Sequence, residues 1–145
     1  MNTLYTYGYS GGSDRDLLLF AKEHDALVVD VRFKPFSRFT PQWNQRNLRD
    51  TLRDHYYHLL ELGNRNYKGE NGSASDFVNL EHGLANLAQL LETRPVILLC
   101  VCKDVNVCHR KEIATIAAER FEVEVIHLNK TLAPSSPPPT QGALF

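Results

Sequence analysis

Three cysteines, the protein's full complement, fall within the nine positions from Cys100 to Cys108, and the last runs straight into His109 and Arg110. These side chains offer three kinds of chemistry. A thiolate beside an imidazole is a nucleophile, with the imidazole exchanging protons near neutral pH; Cys108, Cys100 and His109 are the catalytic candidates. A guanidinium at a helix N-terminus binds phosphate. Thiols with a histidine hold zinc. Four ligands from one eleven-residue segment close a tetrahedron with difficulty, however, so the expectation is no metal and no cofactor. The segment that must position these groups is P-V-I-L-L-C-V-C-K-D-V-N-V-C-H-R-K-E-I-A-T-I-A-A. Val96 to Leu99 reads as a buried strand, and Ile113, Ile116 and Ala117 recur at helical spacing. Cys100 to Arg110 therefore link a strand end to the first turn of a helix.

A second group of candidates lies in a basic region. Between Val31 and Lys68 stand Arg32, Lys34, Arg38, Arg46, Arg49, Arg53, Arg65 and Lys68 against Asp50, Asp54 and Glu61, although the whole chain carries a formal net charge of -1. The stretch V-D-V-R-F-K-P-F-S-R-F-T-P interleaves aromatics with cations, which suits stacking on bases plus phosphate contact. Core packing under the loop is the plainer role for each phenylalanine. Thr40-Pro41 opens a helix expected to reach His55 and bury Trp43, Leu48 and Leu52. Its Arg46, Arg49 and Arg53, with Lys34, would face nucleic acid, or simply water.

The remaining elements alternate. Leu4 to Tyr9 reads as a strand, and Ser13 caps a helix carrying Leu17, Leu18 and Phe20. Ala26 to Val31 has the near-continuous apolar run of a strand buried on both faces, with Asp30 and Arg32 paired or at its exit. Tyr56 to Leu62 is a third strand, ended by Gly63-Asn64-Arg65. Ser75-Asp76 opens a helix through Phe77, Leu80, Leu84, Leu87 and Leu91, and Val123 to Leu128 is a fifth strand. The pattern predicts a three-layer α/β domain over residues 1–132, with a mainly parallel five-stranded sheet and helices on both faces. Ligands bind such sheets where the strands end. Candidate ligand-binding residues at the strand exits are Ser10, Asp30, Arg32, Ser37, Arg38, Arg65 and Arg110. Among them Arg32, Arg38 and Arg110 would form a phosphate cluster, and His109-Arg110 would be one wall of a basic cleft.

The chain's 145 residues suit one domain. No apolar run is long enough for a membrane helix, and an odd cluster of cysteines fits a reducing compartment, so a cytoplasmic protein is expected. Residues 133–145 change character. A-P-S-S-P-P-P-T is linker composition, and Q-G-A-L-F ends the chain on two bulky apolar residues that want a partner.

The motifs T-Y-G-Y-S, V-D-V-R-F-K-P-F-S-R, Y-Y-H-L-L-E-L-G and L-L-C-V-C-K-D-V-N-V-C-H-R together resemble the small bacterial proteins grouped as domain-of-unknown-function family 488. The resemblance implies an α/β fold with D-V-R and C-H-R as its functional signature, and implies no reaction. Many members carry an acidic residue where this chain has Cys102. A looser, fold-level resemblance is to rhodanese-like domains, although the spacing from Cys102 to Arg110 is too long for their anion-cradling loop. The terminal Q-G-A-L-F resembles the bacterial sliding-clamp-binding motif, which implies the clamp as a partner through Gln141, Leu144 and Phe145. The expected function is a phosphate- or nucleic-acid-directed protein of DNA metabolism, binding or processing DNA or nucleotides and tethered to the clamp. A cytosolic cysteine-dependent enzyme of sulfur or phosphoryl transfer is the alternative.

Overall fold

The apolar runs become five strands, β1 (Leu4–Gly8), β2 (Leu27–Asp30), β3 (Tyr56–His58), β4 (Val96–Cys100) and β5 (Val125–Leu128). They form one sheet of order β3-β2-β4-β1-β5 in which every neighbouring pair is parallel. The computed structural model describes residues 1–72, 74–102 and 108–134. The clamp-binding-like residues Gln141, Leu144 and Phe145 lie outside them.

Helices α1 (Asp14–His24), α2 (Gln45–Leu52), α3 (Leu80–Thr93) and α4 (His109–Phe121) complete the described fold. Strand alternation divides the core. Val96, Leu98 and Cys100 of β4 pack with Leu84, Leu87, Leu91, Ile113 and Ala117 of α3 and α4. Ile97 and Leu99 pack on the other face with Leu17, Ala21, Trp43, Leu48 and Leu52. This is the three-layer α/β architecture that the β-α alternation predicts. Residues that follow each other in a strand's exit thus belong to different layers.

Three expected boundaries are corrected. The helix from Thr40 is interrupted: a 3₁₀ turn spans Pro41–Trp43, Asn44 is extended at φ -70° and ψ 143°, and α2 follows. Arg53 then leaves the helix at φ 48°, so only Arg46 and Arg49 remain of the basic stripe. The third strand stops at His58, because residues Leu60–Leu62 turn as a 3₁₀ helix that buries Leu62. The helix expected from Ser75 begins at Leu80, capped by the Asn79 side chain accepting from the His82 N–H at 3.2 Å. Phe77 instead forms a β-bridge with Asn64, which ties the loop back to the β3 exit. The Ser13 cap of α1 is present as expected, accepting from the Asp16 N–H at 3.2 Å. No described helix is long and apolar enough to cross a membrane.

Candidate functional site

All four exits meet. A cleft of about 190 Å³ at the carboxyl edge of the sheet takes Tyr9 from beyond β1, Arg32, Phe33, Lys34 and Phe36 from beyond β2, Asn64 and Tyr67 from beyond β3, and Cys100 to Cys102, Cys108 and His109 from the β4–α4 connection. A second lobe of about 470 Å³ shares Asn64, Tyr67, Cys108 and His109. The strand order explains the convergence. β4 lies between β1 and β2, so its exit is flanked by both.

On the α1–α2 side, Asp30 is fully buried and holds Arg32 at both oxygens, Nε to Oδ1 at 2.8 Å and Nη2 to Oδ2 at 2.7 Å. Tyr56 also donates to Oδ2 at 2.6 Å, and the Arg32 backbone N–H donates to Oδ1 at 3.1 Å. Arg32 Nη1 donates to the Tyr9 hydroxyl at 3.3 Å, and Tyr9 stacks on Trp43 with centroids 4.6 Å apart. Burial alone would lower the Arg32 pKa, but the Asp30 hydrogen bonds and charge outweigh it and hold the guanidinium above its ordinary value. Burial, reinforced by the Asp30 charge, likewise raises the Tyr56 phenol. This network is closed. Arg32 lines the cleft with its charge already compensated, so the expected phosphate cluster is corrected on this wall.

On the α3–α4 side stand the thiols. Alternation puts Cys100 and Cys102 toward the same layer, and Cys108 is the N-cap of α4, so the three Sγ atoms come within 4.8 Å of one another. His109 follows in the first turn. Its Nε2 lies 2.8 Å from the Val31 carbonyl, which only accepts, so that nitrogen carries the proton and Nδ1 faces sulfur, 3.7 Å from Cys100 Sγ. The three thiols of this one short segment therefore converge, two from the strand end and one from the helix start, with the His109 imidazole beside Cys100. The kinds of group present fit a thiophilic cation.

Among the three thiols Cys108 is the one whose pKa is lowered. Hydrogen bonds from Cys100 and Cys102, then from His109 and the Arg110 backbone N–H, lower its pKa against the opposing effect of burial. The partners rise correspondingly. Cys100 is pushed up to about 12, its hydrogen bond with Cys102 being outweighed by that to Cys108 and by burial. Cys102 rises through its hydrogen bonds to Cys100 and Cys108. His109 rises although burial opposes it, because the Cys108 sulfur and its charge favour a second ring proton.

Arg110 is corrected more strongly. It is fully buried, Nη1 donates to the Cys102 carbonyl, and Nε and Nη2 are buried without a partner among the described residues. It backs the thiol segment and lines neither lobe. Other candidates also line neither lobe, although Arg65 borders an adjoining pocket with Phe33, Lys34 and Tyr67. Ser10 is exposed and its backbone N–H continues the sheet to Val101 at 3.1 Å. The Ser37 hydroxyl bonds Thr40, while its N–H donates to Asn44 at 2.5 Å. Arg38 is exposed over the Phe39 ring at 5.5 Å. Arg65 pairs with Asp76 at 3.3 Å. Arg46, Arg49 and Arg53 are exposed and line neither lobe.

Residues that sequence reasoning passed over include Tyr9, Tyr67 and Gly8, while Asn64 lies in the Gly63–Arg65 exit expected to form a cleft wall. A Cβ on Gly8 would lie 1.5 Å from the Cys102 carbonyl oxygen, so only glycine lets the thiol segment cross the end of β1. The signal was available in T-Y-G-Y-S, since glycine inside a strand marks close backbone approach.

Fold and site together define an all-parallel, three-layer α/β protein with a cysteine-histidine cluster at the carboxyl edge of its sheet. Residues 18–117 match the sequence model described as Domain of unknown function DUF488, and the chain belongs to that family. No curated protein and no solved structure matches it.

Proposed function

We propose that the protein binds, and presents for processing, single-stranded nucleic acid or nucleotides in DNA metabolism, with the aromatic and basic rim of the cleft as the contact surface. One observation carries this reading: large aromatic side chains stand in water beside cations, Phe36 and Tyr67 in the cleft lining and Phe39 on the loop beyond it. Phe36 is 68 % exposed and Phe39 85 %, which sets aside the core-plug role for both. Tyr67 is half exposed on the opposite wall with Lys68 Nζ 5.8 Å from its ring, and Arg38 sits over Phe39. Such rims stack bases and contact the phosphates between them. Lys34, exposed between Phe33 and Phe36, adds a charge that no described ion pair takes up.

Fluorescence anisotropy of a labelled single-stranded oligodeoxynucleotide across a salt series tests this. Affinity falls with salt and falls further in Phe36→Ala/Phe39→Ala. Arg46→Ala/Arg49→Ala reports whether the surface extends to α2. Salt-independent or absent binding defeats the reading. The Q-G-A-L-F tail belongs to the same proposal as a tether to the sliding clamp. Deleting Leu144 and Phe145 abolishes clamp co-elution, and unchanged co-elution defeats the tether alone.

A cysteine-dependent enzyme acting on a small substrate by sulfur or phosphoryl transfer is the second reading, favoured because Cys108 caps α4 and opens onto both lobes. It requires Cys108 to be alkylated well before Cys100 and Cys102. Equal rates at all three thiols rule it out.

A further inference from the structure

The two lobes share donor atoms that nucleic-acid contact does not use. We propose that Cys100, Cys102, Cys108 and His109 together hold one zinc ion, with Arg110 as its buried counter-ion. Tetrahedral zinc, with Zn–S near 2.3 Å and Zn–N near 2.0–2.1 Å, spaces sulfur from sulfur by about 3.8 Å and sulfur from nitrogen by about 3.5 Å. The three Sγ atoms already lie within 4.8 Å of one another, and Cys100 Sγ is 3.7 Å from His109 Nδ1. The sulfurs need to close by no more than about 1 Å.

Two independent features point the same way. The Nε2 of His109 is anchored on the Val31 carbonyl at 2.8 Å, the outer bond that orients a ligating imidazole and leaves Nδ1 for the metal. Arg110 is a fully buried cation with two of its nitrogens unpartnered among the described residues, which is costly unless a negative charge lies close by. Three thiolates, a neutral imidazole and a divalent ion sum to one negative charge. Arg110, bonded to the carbonyl of Cys102, stands behind that charge and balances it.

A metal-held Cys108 is no free nucleophile, so zinc and the cysteine-enzyme reading exclude each other. Nucleic-acid binding rests on other residues and survives if zinc fails. The test uses the full chain, purified without chelators: zinc per chain by mass spectrometry, then cobalt titration of the stripped protein followed through thiolate-to-cobalt charge-transfer absorption. One zinc per chain and a saturating cobalt spectrum at one equivalent are expected. Cys102→Ser and Cys108→Ser lose that spectrum, and Arg110→Met weakens cobalt binding about 10–100-fold. Wild-type protein with no stoichiometric zinc and no charge-transfer band overturns the inference, whatever the variants do. So does a folded Cys102→Ser variant that binds cobalt like wild type.

Discussion

Two buried arginines stand behind the same cleft on opposite faces of the sheet, and they are treated differently. Arg32 has every side-chain nitrogen engaged, by both oxygens of Asp30 and by Tyr9. Arg110 has one carbonyl and, among the described residues, two nitrogens without a partner. A closed pair of charges is architecture, since it leaves nothing over for a ligand. An open one leaves its field to act on neighbouring groups, and Arg110 adds to burial in lowering the His127 pKa. The difference separates the two motifs: D-V-R holds a wall together, and C-H-R with its preceding cysteines carries the candidate chemistry.

The comparison breaks or sharpens on stability measurements first. Asp30→Ala leaves the Arg32 guanidinium and the Tyr56 hydroxyl buried without their acceptor, and Arg32→Met strands the carboxylate. Each costs about 3–5 kcal/mol in a denaturant midpoint experiment. The double replacement Asp30→Leu/Arg32→Met recovers much of that loss, because no charge is then left unpaired. Gly8→Ala comes next. Its Cβ collides with the Cys102 backbone rather than with a flexible side chain, so the thiol segment must shift. The expected cost is about 1–3 kcal/mol, with a change in thiol reactivity that Asp30 variants do not share.

Smaller effects fall on the rim and on Arg110. Removing Phe36 or Phe39 weakens single-strand binding by about 1–3 kcal/mol per stacked base. The denaturation midpoint should stay put, since both rings are exposed and change stability by no more than about 0.5 kcal/mol. Arg110→Met has the smallest effect on folding among the buried sites, under about 1.5 kcal/mol, because it removes a poorly partnered charge and keeps the volume. A loss as large as that of Arg32→Met would show that the two arginines are equivalent, and the contrast drawn between them would be wrong.

Much of the fold was legible because its signals are local. The apolar runs of β2 and β4 announce burial on both faces, the Ser13 cap needs only the N–H three residues on, and Thr93-Arg94-Pro95 stops α3 as expected. Misread boundaries share a cause. Thr40-Pro41 and Ser75-Asp76 are good helix starts by residue type, but Asn44 must turn so that Trp43 reaches Tyr9, and Phe77 is claimed by a bridge to Asn64. Tertiary contacts outweighed a local preference in both places.

The site was legible in its composition and not in its polarity. Arg32 and Arg110 read alike as phosphate ligands, since a sequence shows that a charge exists and not whether a neighbour has already neutralised it. By itself the sequence determined the five-fold β-α alternation, the four exits that carry chemistry and the crowding of all thiols at one of them. Only the tertiary structure decided that β4 lies between β1 and β2, that Gly8 lets the Cys102 backbone pass, and that three sulfurs meet with an imidazole nitrogen beside one of them. Helical and strand periods repeat over a few residues and are written locally, whereas strand order, burial and charge compensation join positions far apart in the chain, as Leu4 and Val125 are.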